Sequence, residues 1–156
     1  MKLLKKVTIS VSIFILVVLV FFGITIFIKS NKAPFDVTTA KVDFQVSTSE
    51  LTKEFTIDYA KANEKYFSGS SDSKVLLITG EIHKIGKNMR DDITVLLKSN
   101  ENSPFGVHCT FSSKDLDFKK GQIVTVKGLL NAGLHYDSEL DIYENAILDK
   151  SIILVD

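Results

Sequence analysis

Two stretches of this 156-residue chain decide its fold: Leu77-Ile78-Thr79-Gly80-Glu81-Ile82 and Val124-Thr125-Val126-Lys127-Gly128-Leu129. Each is rich in residues that favour β-strands and has a glycine inside the run. Glycine weakens a strand, so it usually marks a bend, a bulge or a close approach of another part of the chain. Small closed barrels need such bends, because one strand must curl to pair on both sides. The two stretches therefore predict bent strands of a small β-barrel.

An apolar N-terminal segment is set apart from this fold. Val7 to Ile28 carries no charged residue, and three lysines precede it. A helix of about 22 residues spans about 33 Å, which matches the hydrocarbon core of a bilayer. The run is longer than the apolar region of a signal peptide, and no A-x-A pattern follows it. We therefore predict an uncleaved transmembrane anchor; a cleaved signal peptide and a buried soluble helix are the alternatives.

The lysine distribution predicts how this anchor is oriented. Lys2, Lys5 and Lys6 precede the apolar run, whereas Lys29 and Lys32 follow it. The excess on the N-terminal side favours an N-terminus in the cytoplasm and a domain outside the cell membrane. We divide the chain into a cytoplasmic tip and anchor (1–28), a linker (29–41) and a folded domain (42–156).

The folded domain opens with a short strand and a helix. Val42, Phe44 and Val46 alternate with polar residues, as in a half-buried strand. Ser47-Thr48-Ser49-Glu50 fits a capping box, which predicts an amphipathic helix over residues 47–67.

The rest of the domain is mainly β. Strands are predicted around residues 75–85, 93–97, 107–111 and 122–128. A fifth strand includes Leu140 and Ile142 and can extend to Ala146-Ile147. A short helix is predicted over Ser113 to Lys120. Five strands with a helix between the third and the fourth are typical of an OB-fold, a five-stranded Greek-key barrel.

Several motifs resemble one bacterial family over about residues 42–148. The helix has Phe55, Asp58, Ala62 and Lys65-Tyr66, and the barrel has Val107-His108-Cys109-Thr110-Phe111 and Lys120-Gly121-Gln122-Ile123-Val124 through Gly128. This order and spacing resemble the tRNA-anti-like family of small exported OB-fold proteins, which are often lipoproteins. Asp58 replaces the asparagine that is usual in the family. The resemblance implies the fold, and it implies neither catalytic residues nor demonstrated RNA binding.

The charge of residues 29–156 disfavours a phosphate ligand. This part has 16 basic residues (19 minus Lys2, Lys5 and Lys6) and 19 acidic ones, so its net charge is −3. Proteins that bind nucleic acids usually show the opposite balance. The C-terminal stretch is the most acidic, since Lys150 is its one basic residue after position 136.

Metal-binding and nucleophilic residues are few. Cys109 cannot form an internal disulfide, and its position beside Val107 and Phe111 on one strand face predicts a core residue. His108 points to the opposite face. The acidic clusters Asp91-Asp92 and Asp137 to Asp141 match no EF-hand spacing, so we interpret them as solvated loops. No metal site, catalytic residue or cofactor is predicted.

Loops around the barrel are therefore the candidate binding regions. The ligand-binding candidates are Lys84, Lys87, Arg90, Phe105 and Tyr136. We predict a non-enzymatic binding module that is held on the membrane by residues 7–28. Its partner would be another envelope protein, a peptide or a small ligand. A domain for single-stranded RNA is the first alternative, although nucleic acid is disfavoured; an enzyme with no recognisable active site is the second.

Overall fold

The computed structural model describes Val18, Phe21 and Ile24, and then residues 36–67, 74–99, 102–113 and 116–154. The predicted anchor, 7–28, lies outside the described residues apart from those three, which are helical and exposed. Among the described residues, no helix has the length and apolar character needed to cross a bilayer. The chain forms two units, Met1–Phe35 and Asp36–Asp156, and the second contains the barrel.

The described residues of the second unit form two helices and eight strands. In chain order they are β1 (Phe44–Ser47), α1 (Thr48–Ile57), α2 (Tyr59–Phe67), β2 (Val75–Lys87), β3 (Ile93–Lys98), β4 (Gly106–Phe111), β5 (Ile123–Ala132), β6 (His135–Asp137), β7 (Ile142–Glu144) and β8 (Ala146–Leu154).

Five of these strands close into a barrel in the order β2-β3-β4-β8-β5, and β5 pairs back onto β2. All neighbours are antiparallel except β4 and β8, which are parallel. β1 adds a parallel strand beside the first half of β2, and β6 and β7 form a separate hairpin. The predicted five-stranded barrel is thus confirmed, with strands connected as in an OB-fold.

The two glycine-containing stretches lie side by side in the barrel. Leu76 pairs with Gly128, and Gly80 pairs with Val124. β2 bends at its middle, since residues 75–81 pair with β5 and residues 81–87 pair with β3.

Both glycines allow a close approach. A Cβ atom on Gly80 would lie 2.1 Å from Oγ1 of Thr48, and one on Gly128 would lie 2.6 Å from Cγ of Leu148. Glycine at these positions therefore lets α1 rest on β2 and lets β8 pack closely against β5.

The helical segment differs from the single helix predicted over 47–67. Ser47 starts α1 as predicted, because its Oγ accepts a hydrogen bond from the Glu50 amide at 3.1 Å. The helix then ends at Asp58. The Asp58 amide donates to the Glu54 carbonyl at 3.1 Å, and its Oδ1 accepts from the Lys61 amide at 3.0 Å. One aspartate thus ends α1 and caps α2, which produces two helices.

Two further expectations are corrected. The helix predicted over 113–120 does not form in the described part of that segment, residues 113 and 116–120. Phe118 instead packs against Phe111, with ring centroids 5.0 Å apart, so tertiary packing overrides the local helix signal. The fifth barrel strand is β8, Ala146–Leu154, whereas Leu140 lies in a turn and Ile142 in the hairpin.

The barrel interior holds the core. Cys109 is completely buried among aliphatic and aromatic residues, which confirms the core prediction.

Lys127 is also buried, and its Nζ donates to the Thr38 carbonyl at 3.0 Å. Val37 is buried as well. Residues 36–38, which fall within the range predicted as a linker, therefore contact the barrel.

Candidate functional site

A row of outward side chains crosses the barrel on one face. Leu96 of β3 pairs with Lys84 of β2 on one side and with His108 of β4 on the other. His108 in turn pairs with Ile147 of β8. Residues paired across neighbouring strands project from the same face, at a strand spacing of about 4.8 Å. Lys84, Leu96, His108 and Ile147 therefore form a continuous outward row.

A groove of about 320 Å³ covers the first half of this row; we call it the strand groove. It is lined by Lys84, Gly86, Lys87, Thr94, Leu96, His108 and Asn145. The β2–β3 turn lies beside it and is held by Asn88, whose Oδ1 accepts from the amides of Arg90 at 2.9 Å and Asp92 at 3.0 Å. These bonds fix the shape of the turn at the groove's edge.

A second groove of about 640 Å³ lies between α2, the hairpin and the ends of β5 and β8; we call it the helix groove. It is lined by Tyr59, Asn63, Phe67, His108, Asn131, Ala132, Gly133, His135, Glu144, Asn145 and Ile147. His108 and Asn145 belong to both grooves. The two grooves are therefore adjacent parts of one concave face.

Asn145 anchors the hairpin to the barrel at the boundary between the grooves. Its Oδ1 accepts a hydrogen bond from the Gly106 amide at 2.8 Å. The hairpin β6–β7 ends just before this residue and β8 begins just after it, so the bond fixes where the chain returns to the barrel. Asn145 lines both grooves, and the bond through its Oδ1 leaves its side-chain NH₂ as a donor.

Three aromatic rings connect the hairpin to the start of β4. The ring centroids of Phe105 and Tyr143 are 4.7 Å apart, and those of Tyr143 and Tyr136 are 4.9 Å apart. Tyr136 and Tyr143 stay 44% and 37% exposed. The Tyr136 hydroxyl donates to Asp141, and this bond raises the pKa of Tyr136. These three rings form an aromatic ladder that solvent reaches.

The structure separates the predicted ligand-binding residues into two sets. Lys84 and Lys87 both line the strand groove, and Arg90 lies in the exposed turn beside it. Phe105 and Tyr136 belong to the aromatic ladder and line neither groove. The role of all five residues in binding stays a prediction.

Sequence reasoning missed most of the helix groove. The outward position of His108 followed from strand alternation, but Tyr59, Asn63 and Asn131 gave no local signal. They meet only because α2 packs near the base of the hairpin, and the chain separates these elements by the whole of β2 to β5. His135 also lines this groove and lies against Tyr59, with ring centroids 5.9 Å apart.

The chemistry available in the described residues is that of binding groups. No cluster of three or more His, Cys, Asp or Glu side chains close enough for a metal ion occurs within the described ranges. Burial raises the pKa of the Cys109 thiol far above its ordinary value, so the thiol is held neutral.

The sequence matches one known protein family over most of its length. A model of the tRNA_anti-like family matches residues 1–138. Among solved structures, the chain is similar to a Klebsiella pneumoniae lipoprotein provisionally described as nucleic acid-binding, with 18% identity, a TM-score of 0.48, and coverage of 79% of this chain and 100% of that chain. No curated protein matches the chain. Because the family match covers most of the sequence, this protein belongs to the tRNA_anti-like family, as its motifs predicted.

Proposed function

We propose that this protein is a membrane-tethered, extracytoplasmic binding module whose ligand lies across the outward face of β3 and β4. The observation that carries the proposal is the continuity of this face. The outward row passes through both grooves, and His108 and Asn145 line each of them. An envelope protein, a peptide or a small ligand would bind there.

The composition of the face supports binding. Leu96 and Ile147 supply apolar surface in the row, and Lys84 and Lys87 supply positive charge at one end. Concave sites that combine apolar surface with a few placed polar groups are typical of ligand binding. The barrel strands and the Asn145 bond hold these groups in place before a ligand arrives.

Binding also fits the described chemistry better than catalysis. Cys109 is completely buried, and the raised pKa of its thiol keeps it from acting as a thiolate. His108 lies on the opposite face of the same strand and lines the grooves. The two side chains therefore do not form a nucleophile–base pair.

The tether rests on the sequence. Residues 7–28 are long enough to span a bilayer and uncharged, and the preceding lysines favour a cytoplasmic N-terminus. The test uses a full-length Ile123→Cys variant and a membrane-impermeant maleimide, since Ile123 is 72% exposed and the native Cys109 is buried. The reagent should label this variant in intact cells or spheroplasts; labelling only after lysis would contradict the orientation.

Occupancy of the face is tested with a permeant maleimide on a Leu96→Cys variant. Leu96 lies in the strand groove, and Ile123→Cys is the matched control because it lines neither groove. We expect the Leu96→Cys variant to react several-fold more slowly in cells than after purification, because the ligand covers the groove. Ile123→Cys should react equally fast in both samples. Equal rates for both variants in both samples would contradict the proposal.

Single-stranded nucleic acid is the second candidate ligand. Lys84 and Lys87 border the strand groove, and Tyr136 and Tyr143 expose rings on which bases could stack. This candidate predicts binding of an oligo(U) probe that weakens steeply with salt and is lost in the Lys84→Glu, Lys87→Glu double variant. Binding that is absent at physiological salt would exclude it.

A further inference from the structure

We infer that the helix groove binds a neutral oligosaccharide. The inference rests on the proposed function and deepens it, since it names the ligand class for one part of the binding face. Three features of the groove carry it: the charge of its lining, the orientation of its amide side chains and its exposed tyrosine.

The lining lacks the charges that a nucleic acid or another polyanion needs. Of the described residues that line the helix groove, none is lysine or arginine, and Glu144 is the one carboxylate. Phosphate groups are bound mainly through lysine and arginine, so a polyanion has little to gain here. OB-folds bind both oligonucleotides and oligosaccharides, and a polar lining without lysine or arginine favours the second class.

Two amide side chains are held so that they offer opposite hydrogen-bonding groups. Asn131 uses its Nδ2 to donate to Asp149 at 2.9 Å, which leaves its carbonyl oxygen as an acceptor. Asn145 uses its Oδ1 to accept from the Gly106 amide at 2.8 Å, which leaves its NH₂ as a donor. A sugar hydroxyl both donates and accepts, so fixed donors and acceptors suit it. Preorganised groups of this kind also reduce the ordering cost of binding.

Tyr59 supplies a flat apolar surface beside these amides. Its ring is 48% exposed, and it is held between Phe55 and His135, with both centroids 5.9 Å away. A tyrosine has an apolar ring face and a polar hydroxyl, so it can cover the C–H face of a sugar while its hydroxyl remains hydrated.

The backbone around the groove disfavours an extended peptide as the occupant. The barrel strands β4 and β8, which contribute His108 and Ile147 to the groove, are each paired with two neighbours at these residues. A peptide that binds by strand addition needs an unpaired edge. The groove volume of about 640 Å³ falls within the usual range for small-ligand sites.

The test measures binding of chitotriose and maltotriose to the full chain by saturation-transfer-difference NMR and calorimetry. The detergent must lack a sugar headgroup, so lauryldimethylamine oxide replaces maltosides. The variants are Tyr59→Ala and Asn63→Ala in the groove, and Ile123→Ala is the control because Ile123 is exposed (72%) and lines neither groove. Thermal melting shows that each variant is folded.

We expect at least one of the two saccharides to bind, and Tyr59→Ala to weaken that binding about tenfold through loss of the ring contact. Ile123→Ala should bind as tightly as the wild type. Failure of the folded wild type to bind either saccharide at millimolar concentration would overturn the inference, as would binding unchanged by both groove variants. Oligo(U) binding that Tyr59→Ala abolishes would also overturn it, in favour of nucleic acid. If Leu96→Cys is protected in cells but no saccharide binds, the inference fails and the proposed function stands.

Discussion

Gly80 sets the distance between the first helix and the barrel. No side chain larger than hydrogen fits there, because a Cβ atom would lie 2.1 Å from Oγ1 of Thr48. Gly86 lies further along the same strand in a looser environment, where a Cβ atom would meet only Oγ1 of Thr94, at 3.3 Å. A comparison of Gly80 with Gly86 therefore distinguishes the steric requirement at Gly80 from the general effect of a glycine in a strand.

We predict that Gly80→Ala lowers the free energy of unfolding by about 1–3 kcal/mol, because the helix must shift away from β2. Gly86→Ala, the control, should change it by less than about 1 kcal/mol. Urea denaturation measures both. The Gly80→Ala loss should shrink in a Thr48→Ala background, since the clashing oxygen is then absent. An equal loss in both backgrounds would show that Thr48 is not the obstacle.

Cys109 makes stability depend on alkaline pH. Burial raises the pKa of its thiol in the folded protein above the ordinary value of about 8.5. The unfolded chain therefore releases the thiol proton first as pH rises. The stabilisation is complete below pH ~8.5 and decreases above it, by about 1.4 kcal/mol per pH unit from this group.

The measurement is urea denaturation between about pH 9 and 10. Burial also raises the pKa of Tyr66, but Tyr66 contributes to the pH dependence of stability only above this range. Wild type should lose stability across this interval, and Cys109→Ala should show a flatter dependence even though it is less stable at pH 7. Parallel pH profiles for the two proteins would contradict this account.

Among the secondary-structure elements, Asp58 causes the helical segment to form two helices. Its side chain caps α2 through the Lys61 amide, and its own amide completes the last turn of α1. We predict that Asp58→Ala costs about 1 kcal/mol of stability, whereas Asp58→Asn stays within a few tenths of wild type because asparagine also caps. Denaturation curves compare the three. Equal losses in both variants would assign the effect to charge instead of capping.

β8 is the element that closes the barrel. Leu148 is completely buried between β4 and β5 and lies against Gly128, whereas its neighbour Ile147 faces the outward row and is 36% exposed. Leu148→Ala should cost about 2–5 kcal/mol through a cavity. Ile147→Ala should cost less than about 1 kcal/mol. A similar cost for both would mean that β8 is not packed as described.

The strands that alternate regularly could be predicted from the sequence, and the interrupted ones could not. Ile93, Val95 and Leu97 mark β3 clearly, because they alternate with Thr94, Leu96 and Lys98, two of which are polar. β8 contains Asp149-Lys150 in its middle, and Lys150 has a positive φ of 51°, so a local irregularity breaks the alternation. Its parallel pairing with β4 is also a long-range contact, which no local pattern encodes.

The residues that line the two grooves divide in the same way. Lys84 and Lys87 could be predicted because they surround a turn within one sequence stretch, and the structure places both in the strand groove. The helix groove combines α2, the end of β5 and the hairpin, so its residues become neighbours only after the chain folds. Such a site has no sequence spacing to detect.

At the scale of the whole molecule, the closed barrel turns scattered residues into one continuous face. β3 and β4 contribute its centre, the β2–β3 turn and the β6–β7 hairpin border it, and α2 forms the far wall. Since OB-folds use this strand face and these loops for binding, we propose that the ligand lies on this face and that the opposite side of the barrel stays unoccupied.

The most direct test is a photo-crosslinking scan of the full chain in cells. Benzoylphenylalanine is placed at Leu96 and Ile147 on the outward row, and at Ile123 and Leu154 as exposed controls that line neither groove. We expect irradiation to yield ligand adducts at Leu96 and Ile147 and none at the two control positions. Adducts that form equally at all four positions, or only at Ile123 and Leu154, would contradict it.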